Sequence, residues 1–319
     1  MTAYCLAIGF LSSLILNLVM ALLINIWSKG FFDALQTHNS SAIMGSIKSL
    51  AILALGTAIS AILTVQFRMR LQLSWRIWMM SELVSYWVAS NLTRDILMTY
   101  FIDNPEARIA DDGRISIELL VEMGGGIFYS LLMSVSFIIV LWNIGGYIDI
   151  LAIRIYGYLV YAAIIYTLIT SAGILLLCLP LVKNVEEKAA AEGHFRYFLT
   201  KNIHSLNRSK HEGREHQRRF DEFFVVLRDK WKHVIRGQTK ITSFASTNNL
   251  IAPIVPIFLC APKYLSGEMT LGDIMQIAAA FIHVQTSLNW LADNAFSIAN
   301  WSASARRVGA LDGILGRFK

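Results

Sequence analysis

MGGGIFYSLLMSVSFIIVLWNIGGYI, residues 123–148, runs for 26 residues without an Asp, Glu, Lys or Arg. A helix needs about 20 mainly apolar residues to cross the hydrocarbon of a bilayer, so this stretch is long enough to span one. Five others share the property: Thr2–Ser28, Ser49–Phe67, Ile155–Val182, Ile241–Pro262 and Ile274–Ala292. The 319-residue chain is 55% hydrophobic and 16% charged, with a mean hydropathy of +0.52. Soluble domains carry about 25% charged residues. The reading is an all-α membrane protein with spans at about 3–27, 45–67, 121–147, 154–182, 241–263 and 273–300. The first is an anchor rather than a signal peptide. It lacks a basic n-region, its apolar run is too long, and no small-residue cleavage site with a soluble domain follows.

Basic residues set the expected orientation. With the N-terminus in the cytoplasm, the outward loops hold only Lys29, Lys48, Arg154 and Lys263, and the other 24 of the 28 Lys and Arg lie inward. Both termini are therefore expected to be cytoplasmic. The net charge of +6 reads as this bias and not as nucleic-acid binding. Cys5, Cys178 and Cys260 each lie in an apolar segment, at spacings that suit neither a disulfide framework nor a metal site. His211 and His216 in HEGREH are five apart and diverge on a helix, unlike the i, i+4 pair of a zinc protease. Trp27, Trp142 and Trp290, near segment ends, read as interfacial or packing aromatics.

Two inward connections, 68–118 and 183–240, are long and poor in Gly and Pro. In 68–101 strong helix formers recur at helical spacing, with Arg68, Gln72 and Arg76 four apart. Both connections read as helical hairpins carried out of the bilayer; 25 additional helical residues reach roughly 37 Å. At the tip of the first lies DNPEARIADDGR, residues 103–114, with six charges. Asp103 or Asn104 suits an N-cap, Pro105 the first helical position, and Glu106 the first turn. The spacing predicts a short helix from Pro105, with Arg108 on its surface, and a bend at Asp111–Gly113.

NPEARI (104–109) resembles the N-P-D-Q-R-I signature in the first cytosolic hairpin of one group of ABC transporter membrane domains. That group includes the SbmA/BacA-like peptide transporters and the peroxisomal fatty-acyl half-transporters. INIWSKGFFDALQ (24–36) resembles its N-x-W-x-x-x-F-[FY]-[DN]-A-L-Q pattern. VEEKAAAEGHFRYFL (185–199) resembles its E-A-x-F-R element, with Gly193 in place of the usual Ala. YLSGEMTLGDIMQIAAAFIHVQTSLNWLADN (264–294) resembles the stretch leading into its sixth segment. The resemblance implies the six-helix exporter-type fold, working as a homodimer, with two long cytosolic hairpins that dock on ATP-binding domains. The coupling interface it implies comprises Asn104, Pro105, Glu106, Arg108 and Ile109, with Glu192, Phe195 and Arg196 matching the E-A-x-F-R element. A second coupling region would lie around Ile203–Glu215, where the match is loose.

No G-x-x-x-x-G-K-[ST] loop occurs, so no cofactor is expected on this chain. ATP and Mg are expected on an ATPase domain, fused in a longer gene or separate. Gln285, Asn289, Asp293 and Asn300 form a rough polar stripe along the last segment, suited to a cavity lining or to helix–helix hydrogen bonds. Glu118 and Glu122, i and i+4 where the third segment meets the membrane, are candidates for proton coupling or a plain solvated pair. No residue pattern suggests a catalytic site or a metal site. The expectation is the permease part of an ATP-driven transporter in the inner membrane, moving peptides or amphipathic small molecules. The alternatives are a proton-coupled SbmA/BacA-like peptide importer and a truncated, non-transporting remnant.

Overall fold

A computed structural model describes residues 2–90, 106, 108–150, 153–202 and 210–315. Helix α1, Thr2–Gln36, and helix α2, Ser40–Ser90, carry no proline and are joined at His38 in a left-handed turn with φ 54°. A π-helical turn, Arg108–Asp112, leads into α3, Gly113–Gly145. The bend expected at Asp111–Gly113 does not form. Asp112 is itself helical, with φ −66° and ψ −36°, and the chain runs on into α3.

A short antiparallel hairpin follows, β1 (Tyr147–Ile150) paired with β2 (Ile153–Tyr156). Gly146 (φ 63°) and Gly157 (φ 65°) frame it in a conformation that side-chain-bearing residues resist, and the Gly157 N–H donates to the Gly146 carbonyl at 2.9 Å. The fold is thus all-α apart from this hairpin among the described residues.

Helix α4, Tyr158–Asn202, and helix α5, Lys210–Ile251, follow. Helices α6 (Ile254–Leu265), α7 (Leu271–Asp293) and α8 (Ala295–Leu315) complete the described chain. Within the expected span 241–263 a turn at Ala252–Pro253 interrupts the helix, because proline lacks the N–H a helix interior needs and disfavours helix in the residue before it, while the whole span lies inside the apolar segment Asp221–Leu265. The expected span 273–300 is broken at Asn294. Asn294 is the C-cap of α7; its side-chain amide donates to the Trp290 carbonyl at 2.8 Å, beside the regular helical bond from its backbone N–H to the same oxygen at 3.1 Å.

Among the described residues, five helical segments are long and apolar enough to cross a membrane: Ala3–Gln36, Ser40–Val88, Arg108–Gly145, Tyr158–Tyr197 and Asp221–Leu265. The last expected span is not among them. Gln276, His283, Gln285 and Asn289 dilute α7, and three of these four, the two Gln and the Asn, are buried in the fold.

The chain divides into two compact units, 1–164 with 253–319, and 165–252. In the first, α3 packs along α7 around Phe137, Leu141, Ile277 and Phe281, none more than 1% exposed. Ser134 and Ser287 bond across the same contact at 2.9 Å. Helices α1 and α2 share a polar seam in which the Asn17 amide donates to the Thr64 hydroxyl and the Ser60 carbonyl, at 2.7 and 3.3 Å. The second unit is an antiparallel pairing of α4 with α5. Tyr166 donates to Asn248 at 2.7 Å, Lys230 to Glu187 at 2.9 Å, and Phe195 packs on Phe223 and Phe224.

Candidate functional site: the charged foot of α2, α3 and α8

The hairpin-tip residues Asn104 and Pro105, like residues 203–209, lie outside the described part, and so do the side chains of 210–217. Glu106 is helical and exposed, and Arg108 opens the π turn half-buried. Ile109 is 6% exposed and packs with Leu83 of α2 and Val308 and Leu311 of α8. Burying a side chain of this size stabilises by roughly 1.5–3 kcal/mol, enough to hold the turn on the two helices.

A forked ion pair reinforces the contact. Arg307 Nε and Nη2 donate to the two carboxylate oxygens of Asp112 at 2.7 and 2.6 Å, and Nη2 also reaches the buried Ser304 hydroxyl at 3.0 Å. Asp112 precedes the charge-free stretch Met123–Ile148. There the hydrogen bonds from Arg307 hold its carboxyl below the usual carboxylate range, against the opposing effect of burial. Arg307 was not legible as a partner of the tip, since 195 residues separate it from Asp112.

Above this foot, the i, i+4 series on α2 faces the acidic pair on α3. Arg76 lies 3.9 Å and Arg114 3.0 Å from the Glu118 carboxylate, and Arg68 lies 3.8 Å from Glu122. Gln72 donates to the Glu118 carbonyl at 2.9 Å. Each carboxylate proposed for proton coupling therefore stands opposite an arginine, and Arg68 Nε is buried with no hydrogen-bond partner.

In the second unit, Glu192 pairs with Lys188 at 3.6 Å, Phe195 joins the aromatic contact already described, and Arg196 is exposed. Along α7 the expected stripe splits. Gln285 and Asn289 are buried at 3% and 8% exposure, whereas Asp293 and Asn300 are exposed and lie on either side of the break at Asn294.

The other quoted stretches meet one another. Asn25 donates to the Gln276 carbonyl at 2.9 Å, Lys29 pairs with Asp273 at 2.7 Å, and the Gly272 and Leu271 N–H groups donate to Asp33 and Gln36 at 3.0 and 2.8 Å. Thr270 and Asp273 close a capping box on the same helix start. Trp27 Nε1 donates to the Ser46 carbonyl at 2.8 Å, tying α2 to the same end of α1. The pattern INIWSKGFFDALQ is thus a clasp that seats α1 on α7.

Long apolar helices extended by charged, ion-paired segments define a multi-pass α-helical membrane protein. The chain belongs to the SbmA/BacA-like family, whose profile matches residues 3–313. An uncharacterized ABC transporter ATP-binding protein of Haemophilus influenzae is 26% identical over 286 residues, covering 87% of this chain and 48% of the relative. The inner membrane ABC transporter ATP-binding protein YddA of Escherichia coli is 25% identical, covering 84% and 49%. The chloroplastic ABC transporter D family member 2 of Arabidopsis thaliana is 25% identical, covering 77% and 33%. The chain spans about half the length, or less, of these curated relatives.

Proposed function

We propose that this chain is the membrane-spanning part of an ATP-driven ABC transporter with the six-helix exporter arrangement. It works as a homodimer in the inner membrane, with both termini in the cytoplasm, and carries peptides or amphipathic small molecules by alternating access. The observation that carries this reading is the fixing of the hairpin tip to α8 by Ile109 and by the Asp112–Arg307 fork. A tip held in this way passes a push from a docked ATPase into the membrane helices, and relatives named as ATP-binding ABC proteins support such a partner. The partner docks on Asn104–Ile109 and on the region around Ile203–Glu215. Gln285 and Asn289 form the polar part of the route between helices.

A second reading, proton-coupled peptide import without an ATPase, is favoured by one feature. Glu118 and Glu122 stand beside Arg76 and Arg68 where α3 enters its charge-free stretch. Peptide uptake into vesicles, measured with ATP depletion and with a protonophore, separates the two. Loss on ATP depletion with protonophore resistance supports the ABC reading, and loss with protonophore alone refutes it. Arg108→Ala should impair ATP-driven uptake without lowering expression.

A further inference from the structure

Beside the charged foot, two cavities of opposite chemistry adjoin. The larger, about 440 Å³, has Trp78, Met79, Tyr86 and Trp301 in its wall together with the carboxylates Glu82 and Asp312. Among the described residues no Lys or Arg lines it, in a chain of net charge +6. Tyr86 donates to Glu82 Oε1 at 2.7 Å, and neither carboxylate has an ion-pair partner among the described residues. The smaller, about 290 Å³, is lined by apolar residues alone, among them Phe10, Leu11, Trp75 and Gly124. Leu120 belongs to both walls, so the two cavities meet at that residue.

Their positions along the chain differ in a telling way. Phe10, Leu11 and Gly124 lie inside charge-free stretches, at membrane depth, and Leu11 and Leu120 are 38% and 40% exposed at the mouth. Trp78, Glu82 and Asp312 lie beyond the charged ends of the helices. An apolar slot open to the bilayer, continued by an aromatic and acidic cup at its edge, matches an amphipath whose head carries a positive charge. Ring faces and carboxylates both attract an ammonium group, and the carboxylates repel an anionic head. Gly124 keeps the slot open, for a Cβ there would meet no atom within 4 Å. A space of this size takes a length of hydrocarbon chain and not another helix, which is about 10 Å across.

We propose that the two cavities hold one phospholipid of the surrounding bilayer with an ethanolamine head group, its acyl chain against Gly124 and its ammonium between Trp78, Trp301, Glu82 and Asp312. The cup shares Leu83 and Val308 with the cluster that buries Ile109, so the bound lipid braces the α2–α8 junction under the hairpin tip.

The test is native mass spectrometry of the purified chain in neutral detergent with equal amounts of phosphatidylethanolamine and phosphatidylglycerol. The ethanolamine lipid should be retained about fivefold more, the scale of a few partly exposed cation–π and charge contacts. Glu82→Gln with Asp312→Asn should abolish that preference while retaining bound chains. Gly124→Leu, which fills the slot, should cut retention of both lipids; Ala7→Leu serves the same purpose from α1 if that variant does not fold. Equal retention of the two lipids by the wild type overturns the proposal. So does full retention by a folded slot variant, or binding of chainless tetraethylammonium as tight as that of the lipid.

Discussion

Replacing Gly272 with alanine should damage the α1–α7 clasp more than any other single methyl added at a glycine of that region. A Cβ at this position would overlap the Lys29 carbonyl oxygen and the Asp33 carboxylate at once, and the first is backbone that cannot swing away. Overpacking of this kind costs about 1–3 kcal/mol, and pushing the helices apart also weakens the 3.0 Å bond from Gly272 N–H to Asp33. A hydrogen bond to a charged acceptor is worth about 1.5–3 kcal/mol, so the combined loss is up to roughly 6 kcal/mol and at least about 2.5 kcal/mol. At about 2 °C per kcal/mol for a larger domain, the midpoint should fall by about 5–12 °C. Gly30→Ala is the control. It lies in α1 near the same contact, yet a Cβ there meets nothing within 4 Å, so the change should be neutral or stabilise by up to about 1 kcal/mol. The assay is thermal unfolding of the full chain in detergent. Adding Asp33→Ala to Gly272→Ala should rescue only part of the loss, since the Lys29 carbonyl remains. Equal midpoints for Gly272→Ala and Gly30→Ala, or complete rescue in the double variant, would refute the overlap.

Gly193→Ala in α4 should raise helix stability by up to about 1 kcal/mol, because its Cβ enters open space; a circular dichroism melt that falls would count against the helix there. Asp112→Asn tests the fork through its pH dependence. The folded carboxyl is lowered from its ordinary value of 3.8, so its contribution is full above that value and vanishes as pH falls through the lower one. The wild-type and Asp112→Asn stabilities should therefore differ by about 1 kcal/mol at neutral pH and converge in acid below that window; a constant difference would mean that the pair is not the cause. Trp27→Phe keeps the ring that stacks on Phe31 at 5.2 Å but loses the bond to Ser46, and should cost about 1 kcal/mol in the same melting assay.

The membrane class was legible because hydrocarbon thickness imposes itself on every span independently: each charge-free stretch announces itself without reference to any other. Breaks inside spans were less legible, since they depend on single residues acting locally. Pro253 carries a general penalty that periodicity overlooked, and Asn294 caps α7 with a side-chain amide bonded to the Trp290 carbonyl, a local contact that the spacing of apolar residues does not show. The partner of a charge is harder still. Arg68, Gln72 and Arg76 showed their common face by spacing, but spacing within α2 cannot say that α3 supplies Glu118 and Glu122 opposite them.

The clasp shows where that limit lies. INIWSKGFFDALQ and TLGDIMQ are more than 230 residues apart, and read singly each is a helix end with polar residues that have no evident task. Together they satisfy one another: the free N–H groups that every helix start exposes, here those of Leu271 and Gly272, are taken up by the side chains that α1 presents after its apolar run. Lys29, one turn along, neutralises the Asp273 that caps the same start. A glycine is required where the two backbones approach, and a carboxylate and an amide where two donors point outward. The residue types in both stretches therefore follow from one contact. That contact fixes α1, and through Trp27 the start of α2, to α7, which packs in turn on α3. Asp112 of the charged foot precedes the same α3, so the foot and the clasp are joined through one set of packed helices.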